Sequence, residues 1–189
     1  MLPVVHVLDY GAGNVRSVCN AIKSLGYSVT FITSPADFNV AEIIIFPGVG
    51  NITSAMAFLN TNGYADKLRE YILANKRYLG ICLGLQTLFD RSEECPHLSG
   101  LGIIPGTVQH FPTGCEFPVP HIGWNGISVW KEKPSLLTLV EKVDTVRVYF
   151  VHTYRITPSE ENKDWICTTT KYGNDEFIRY FKFLIISSF

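Results

Sequence analysis

No two of the five cysteines (Cys19, Cys82, Cys95, Cys115 and Cys167) are spaced as C-x-x-C, and their number is odd. That argues against a disulfide framework and against a structural zinc site, and it fits a reducing compartment. None of the five histidines stands at ligand spacing from another His, Asp or Glu, so no metal and no other cofactor is expected. No apolar run approaches the ~20 residues a membrane helix needs, so no membrane partner is expected. Runs of lysine or arginine are also missing. With 16 basic and 17 acidic residues the net charge is −1, and nucleic acid is not expected as a partner. Internal repeats, low-complexity stretches and linkers are absent, so residues 1–189 are read as a single domain. The N-terminus, "MLPVVHVLDYG", enters a strand-like run at once, and no signal or transit peptide is expected within this sequence. The cytoplasm is the expected location, or a plastid if the source is a plant and a transit peptide lies outside this chain.

What is present is a hydrophobic, alternating first half. Hydrophobic residues make up 47% of the chain, enough to build a core. "VVHVLDY" (4–10), "SVTFIT" (28–33), "EIIIF" (42–46) and "RYLGI" read as strands. "NVRSVCNAIKSLG" (14–26) reads as a helix: Val15, Val18, Ala21, Ile22 and Leu25 recur at three and four, and Gly26 ends it. A helical stretch is expected from about Thr53 to Asn75, broken near Asn62-Gly63, and another over "LGLQTLFDRS". Alternation of this kind implies an α/β fold: three layers, with a mostly parallel central sheet flanked by helices. The segments "DYGAGN", "PGVGN" and "GICLG" fall at strand ends, where such sheets carry their reactive groups. The second half is richer in strands, with candidates around 102–110, 127–130, 146–152 and 165–170. A hairpin turn is expected at Gly173-Asn174-Asp175.

Chemistry is concentrated in "KRYLGICLGLQTLFDRSEE" (76–94). G-x-C-x-G between a strand and a helix has the layout of a nucleophile elbow. A turn that tight excludes bulky neighbours, which accounts for Gly80 and Gly84. Cys82 would sit at a helix N-terminus, where free N–H groups favour the thiolate. The Leu83 N–H would point to a developing oxyanion. The motif alone also fits a buried, inert cysteine. "FPGVGN" (46–51), taken alone, reads as an ordinary strand-to-helix turn; beside Cys82 its N–H groups could complete an oxyanion hole. "DYGAGN" (9–14) fails as a dinucleotide fingerprint, because Arg16 stands where the third glycine belongs. Asn14 is read as a helix N-cap, and His6, within a buried strand, as structural.

Together "LDYGAGNVRSV", "FPGVGN", "GICLGLQ", "VPHIGWN" and "YFVHTYR" resemble triad-type glutamine amidotransferases. More narrowly they resemble the glutaminase part of imidazole glycerol phosphate synthase, over residues 4 to about 178. The resemblance implies that Cys82 attacks the side-chain amide of L-glutamine. It implies an oxyanion hole from the backbone at Val49, Gly50 and Leu83, and substrate contacts from Gln86, Glu94, Thr153 and Tyr154. Pro120, His121, Trp124 and Asn125 would face a (β/α)₈-barrel cyclase, either a separate subunit or fused on a longer chain. Ammonia would pass to that cyclase in histidine biosynthesis. A different cysteine enzyme, acting on an ester or peptide, is disfavoured by Gln86, Glu94 and "YFVHTYR" occurring together.

The sequence departs from the pattern near its end. The family completes its triad with a motif like F-H-P-E, whereas no histidine here follows His152. The last strand and helix of the pattern are expected to be missing, and the tail "FKFLIISSF" carries no catalytic group. His121 and His152 belong to motifs with other assignments, so neither is expected to serve as the base. A form that only binds or modulates the cyclase is the alternative expectation.

Overall fold

The structure is a computed structural model that describes residues 2–130 and 145–181. The expected divergent tail lies mostly beyond them, at 182–189. Along the chain run β1 (Val5–Val7), α1 (Val15–Ser24), β2 (Val29–Phe31), α2 (Asp37–Val40), β3 (Ile43–Gly48), α3 (Ile52–Thr61), α4 (Tyr64–Leu73), β4 (Arg77–Cys82) and α5 (Leu83–Gln86). These are followed by β5 (Phe89–Ser92), β6 (Ile104–His110), β7 (His121–Gly126), β8 (Ser128–Val129), β9 (Arg147–His152), β10 (Tyr154–Arg155), β11 (Ile166–Tyr172) and β12 (Asp175–Phe181).

The first half is the expected α/β frame. Strands β2, β1, β3 and β4 form a parallel sheet in that spatial order. Period-two alternation sends its side chains to two separate cores. Val5, Val7, Ile43 and Ile45 pack with Cys19 and Ile22 of α1 on one face. Leu8, Ile44 and Phe46 pack with Ala55, Met56, Leu59, Leu68 and Ile72 of α3 and α4 on the other. Helices thus cover both faces. The break expected near Asn62-Gly63 separates α3 from α4, with Gly63 left-handed at φ 68°. Asn14 does stand at the N-cap of α1, but its side chain makes no capping bond. Its Oδ1 accepts instead from the Ser17 hydroxyl at 2.8 Å.

The helix expected over "LGLQTLFDRS" is a correction. Only Leu83–Gln86 is helical, and Phe89–Ser92 is strand β5, parallel to β6. The apolar residues Leu85, Leu88 and Phe89 suit either structure, and tertiary pairing decides. Leu101 N–H donates to Thr87 O at 2.8 Å, Ile103 N–H to Leu88 O at 2.9 Å and Gly102 N–H to Phe89 O at 3.2 Å. That ladder takes the carbonyls a longer helix would have used.

Antiparallel pairs make up the second half: β7 with β9, β10 with β6, and β8 and β12 on either side of β11. The β11–β12 hairpin turns where expected, with Tyr172 opposite Asp175. Strand β7, over "HIGWNG", was not read as a strand from the sequence. Its pairing partners lie 21 to 31 residues away, beyond any local signal.

Candidate active site

Cys82 ends β4 with φ 55° and ψ −110°, a region that non-glycine residues rarely occupy. The side chain is exposed. The close glycines explain how the chain tolerates this corner. A Cβ on Gly84 would lie 1.9 Å from the Phe46 carbonyl oxygen, and one on Gly80 would lie 2.7 Å from the backbone of Gly84 and Leu85. Backbone from β3, β4 and α5 is therefore in direct contact under the thiol, and only hydrogen fits at both positions. Two buried hydroxyls hold the turn from below: Tyr78 and Thr87 both donate to the Gly84 carbonyl, at 2.7 and 3.0 Å. Burial pushes the Tyr78 phenol well above its ordinary pKa, so it stays a donor.

Register then sets the neighbours. Gly48 is paired with Cys82, so Val49 and Gly50 emerge beside the thiol. Leu83 is the first residue of α5, and its N–H has no acceptor earlier in the helix. Val49 is exposed and Gly50 has φ +101°. Asn51 caps α3 by accepting from Ser54 N–H at 2.9 Å.

A cavity of about 580 Å³ opens over this corner. Its lining brings together Cys82, Val49, Gly50, Leu83, Gln86, Glu94, Pro120, Thr153 and Tyr154, from segments far apart in sequence. Glu94 is fixed by one carboxylate oxygen, Oε2, which accepts from Ile52 N–H at 2.9 Å at the start of α3. Glu94 is also part of the cavity lining. Gln86 is half-buried, and its amide makes no hydrogen bond to the described residues.

Three of the sequence-derived residues lie away from the cavity lining. His121 is 2% exposed, stacked between Tyr172 and Phe150 at centroid distances of 3.8 and 4.7 Å. Its Nδ1 is 3.1 Å from Nε2 of His152, whose own Nδ1 is 2.9 Å from the Tyr154 carbonyl. Asn125 ties β7 to β11, donating to Lys171 O at 2.8 Å. Trp124 is 69% exposed on the outer face of the β7–β9 ribbon, next to Tyr149. Ile122 and Val151 continue that face.

Several cavity residues were not found by sequence reasoning, among them Tyr149, Arg155 and Phe177. Tyr10, behind the corner, was missed too. Its hydroxyl donates to the Val49 carbonyl. Burial, with the negative charge of Cys82 and Asp9 nearby, raises its pKa. The only signal for Tyr10 was its place inside "DYGAGN" at a strand end. Arg155 Nε binds Asp175 Oδ2 at 2.8 Å, and the Arg155 guanidinium lies 5.3 Å from the Phe111 ring. Among the described residues, no cluster of three or more His, Cys, Asp or Glu side chains could hold a metal ion.

A cysteine in a rarely occupied backbone region stands at a strand-to-helix corner and shares one cavity with a carboxylate and an amide. The model of the class-I glutamine amidotransferases matches residues 6–181, and the chain belongs to that family. Within the family it is similar to imidazole glycerol phosphate synthases. It is 51% identical over 170 residues to the chloroplastic hisHF protein of Arabidopsis thaliana, covering 90% of this chain and 28% of that one. It is 42% identical over 171 residues to the subunit HisH of Desulfitobacterium hafniense, covering 90% and 77%. The chain thus spans less than a third of the Arabidopsis relative's length. Among solved structures, PurLQS from Thermotoga maritima superposes with a TM-score of 0.69 at 16% identity, over 95% of this chain and 87% of that one, which shows the shared fold.

Proposed function

We propose that this chain carries the glutamine site of an imidazole glycerol phosphate synthase, a single domain that takes ammonia from L-glutamine for a cyclase in histidine biosynthesis. The observation that carries the reading is the convergence of Cys82, Val49, Gly50, Leu83, Gln86, Glu94, Thr153 and Tyr154 on one cavity. The carboxylate of Glu94 suits the substrate's α-ammonium. Gln86 and the 153–154 segment suit its polar end. The Cys82 thiolate attacks the side-chain amide carbon, the carbonyl π pair moves to oxygen, and backbone N–H groups of the Val49–Gly50 segment and of Leu83 receive that oxygen. Loss of ammonia leaves a glutamyl thioester for water to hydrolyse.

Turnover also needs a base for the thiol and an acid for the leaving nitrogen, typically worth ~10²–10⁴-fold. Both His152 ring nitrogens are engaged, one with His121 and one with the Tyr154 carbonyl, so His152 is not placed as that base. A second reading is a glutamine-binding form that docks on the cyclase and makes little ammonia. The exposed apolar face of Ile122, Trp124, Tyr149 and Val151 suits that docking, because large apolar groups clustered on one ribbon mark partner surfaces. The relatives include a separate subunit, HisH, and longer hisHF proteins, which supports a partner either as a second subunit or on the same chain. The cytoplasm, or a plastid as for the Arabidopsis relative, is the proposed compartment. No helix among the described residues is long and apolar enough to cross a membrane. Ammonia release from L-glutamine, measured with and without a (β/α)₈-barrel cyclase, tests the first reading. Cyclase binding without ammonia supports the second, and neither ammonia nor binding overturns both.

A further inference from the structure

Strands β7 and β9 pair so that His121 stands directly opposite His152. The two rings are joined, with His121 Nδ1 at 3.1 Å from His152 Nε2. At the next position the chain bends, and Thr153 separates β9 from β10. The His152 side chain spans that bend: its Nδ1 lies 2.9 Å from the Tyr154 carbonyl. The Thr153 carbonyl accepts from the Phe111 N–H at 3.2 Å. Thr153 and Tyr154 line the cavity, whereas His121 is buried behind it.

A carbonyl oxygen only accepts, so the His152 ring carries its proton on Nδ1. The neutral ring then accepts at Nε2, and His121 Nδ1 donates to it. The bonds therefore run one way, from His121 to His152 to the Tyr154 carbonyl. His121 is itself held by stacking between Tyr172 and Phe150, at 3.8 and 4.7 Å. One ring fixed by the aromatic core thus braces a second ring, and the second ring braces the bend. We propose that His121 is a positioning residue of the glutamine pocket, holding the Thr153–Tyr154 segment in place through the ring of His152. Without that donor the His152 ring loses one of the bonds that orient it, and the bend it spans loosens. The inference rests on the glutamine-site reading above, in which this segment meets the polar end of the substrate.

The test compares two reagents on Cys82 in the full chain. The glutamine-shaped diazoketone 6-diazo-5-oxo-L-norleucine carries the α-amino and carboxylate groups of glutamine. Its diazo carbon takes a proton from water, and the thiolate then displaces dinitrogen to form the C–S bond. Iodoacetamide, from which the thiolate displaces iodide, lacks both groups. His121→Phe keeps a ring for the stack and removes the donor. It is expected to raise the half-saturating diazoketone concentration about fivefold, the worth of one neutral hydrogen bond. The saturating rate and the iodoacetamide rate should each change by less than about twofold. His121→Asn offers an amide N–H near the place of Nδ1 and should bring half-saturation back to within about twofold of wild type. Nitrogen NMR of the unsubstituted chain should show the proton of His152 on Nδ1, and this arm decides even if His121→Phe does not fold. An unchanged half-saturation in His121→Phe, equal slowing with both reagents, an Asn variant no better than Phe, or a His152 proton on Nε2 would overturn the proposal while leaving the glutamine site standing. Wild-type labelling that neither saturates nor slows with L-glutamine would overturn the site reading as well.

Discussion

Cys82 is kept in a conformation that costs free energy. Backbone in such a region typically costs ~1–3 kcal/mol, and here φ is 55° and ψ −110°. Glycine adopts that region without strain, and its own entropy penalty is only ~0.5–1 kcal/mol. Cys82→Gly is therefore expected to be about 1 kcal/mol more stable than Cys82→Ala in thermal or urea melts. Equal stability would mean the corner is not strained. The glycines, the cysteine and the candidate substrate residues were legible from the motif and its resemblance. What was illegible is how they are held. That Phe46 O and Gly84 meet, that Tyr78 and Thr87 share the Gly84 carbonyl, and that Glu94 reaches back 42 residues to Ile52 are long-range facts.

Between elements, the cavity's far wall depends on one ion pair. Arg155 on β10 is 8% exposed and Asp175 on β12 is 22% exposed, with 2.8 Å between them. Arg155 also donates to the His110 carbonyl at 3.2 Å, joining β10, β12 and the end of β6. Removing one partner strands the other, a loss of ~3–5 kcal/mol when fully buried; the partial exposure of Asp175 reduces this to about 2 kcal/mol. Asp175→Asn should lower the urea midpoint accordingly, and an unchanged midpoint would show that solvent already screens the pair. The sequence marked the hairpin through Gly173-Asn174 but offered no hint of this contact. Similarly, the short helix α5 and strand β5 were read as one helix. Apolar spacing over ten residues fitted both, and the β6 ladder lies outside any local window.

Across the whole molecule, the parallel half was readable because each strand, turn and helix is adjacent in sequence. The antiparallel half was readable only as scattered strands, since β7 with β9 and β10 with β6 pair over long loops. Global stability should also carry an alkaline limit. Burial raises the phenol pKa of both Tyr71 and Tyr78. For groups raised in the folded state, the contribution is complete below the ordinary phenol value of about 10 and is lost as pH rises beyond it. Urea midpoints should hold between pH 8 and 9.5 and fall steadily above about pH 10. In Tyr78→Phe that fall should be shallower, and an identical slope would place the pH sensitivity elsewhere.

The central claim is that Cys82 is a nucleophile within a glutamine pocket, and active-site labelling with 6-diazo-5-oxo-L-norleucine tests it most directly. Mass spectrometry of the digested adduct should place the label on Cys82 alone. The rate should saturate with reagent concentration and slow with added L-glutamine but not D-glutamine. A label spread over the other cysteines, or a linear rate that L-glutamine leaves unchanged, would contradict the account.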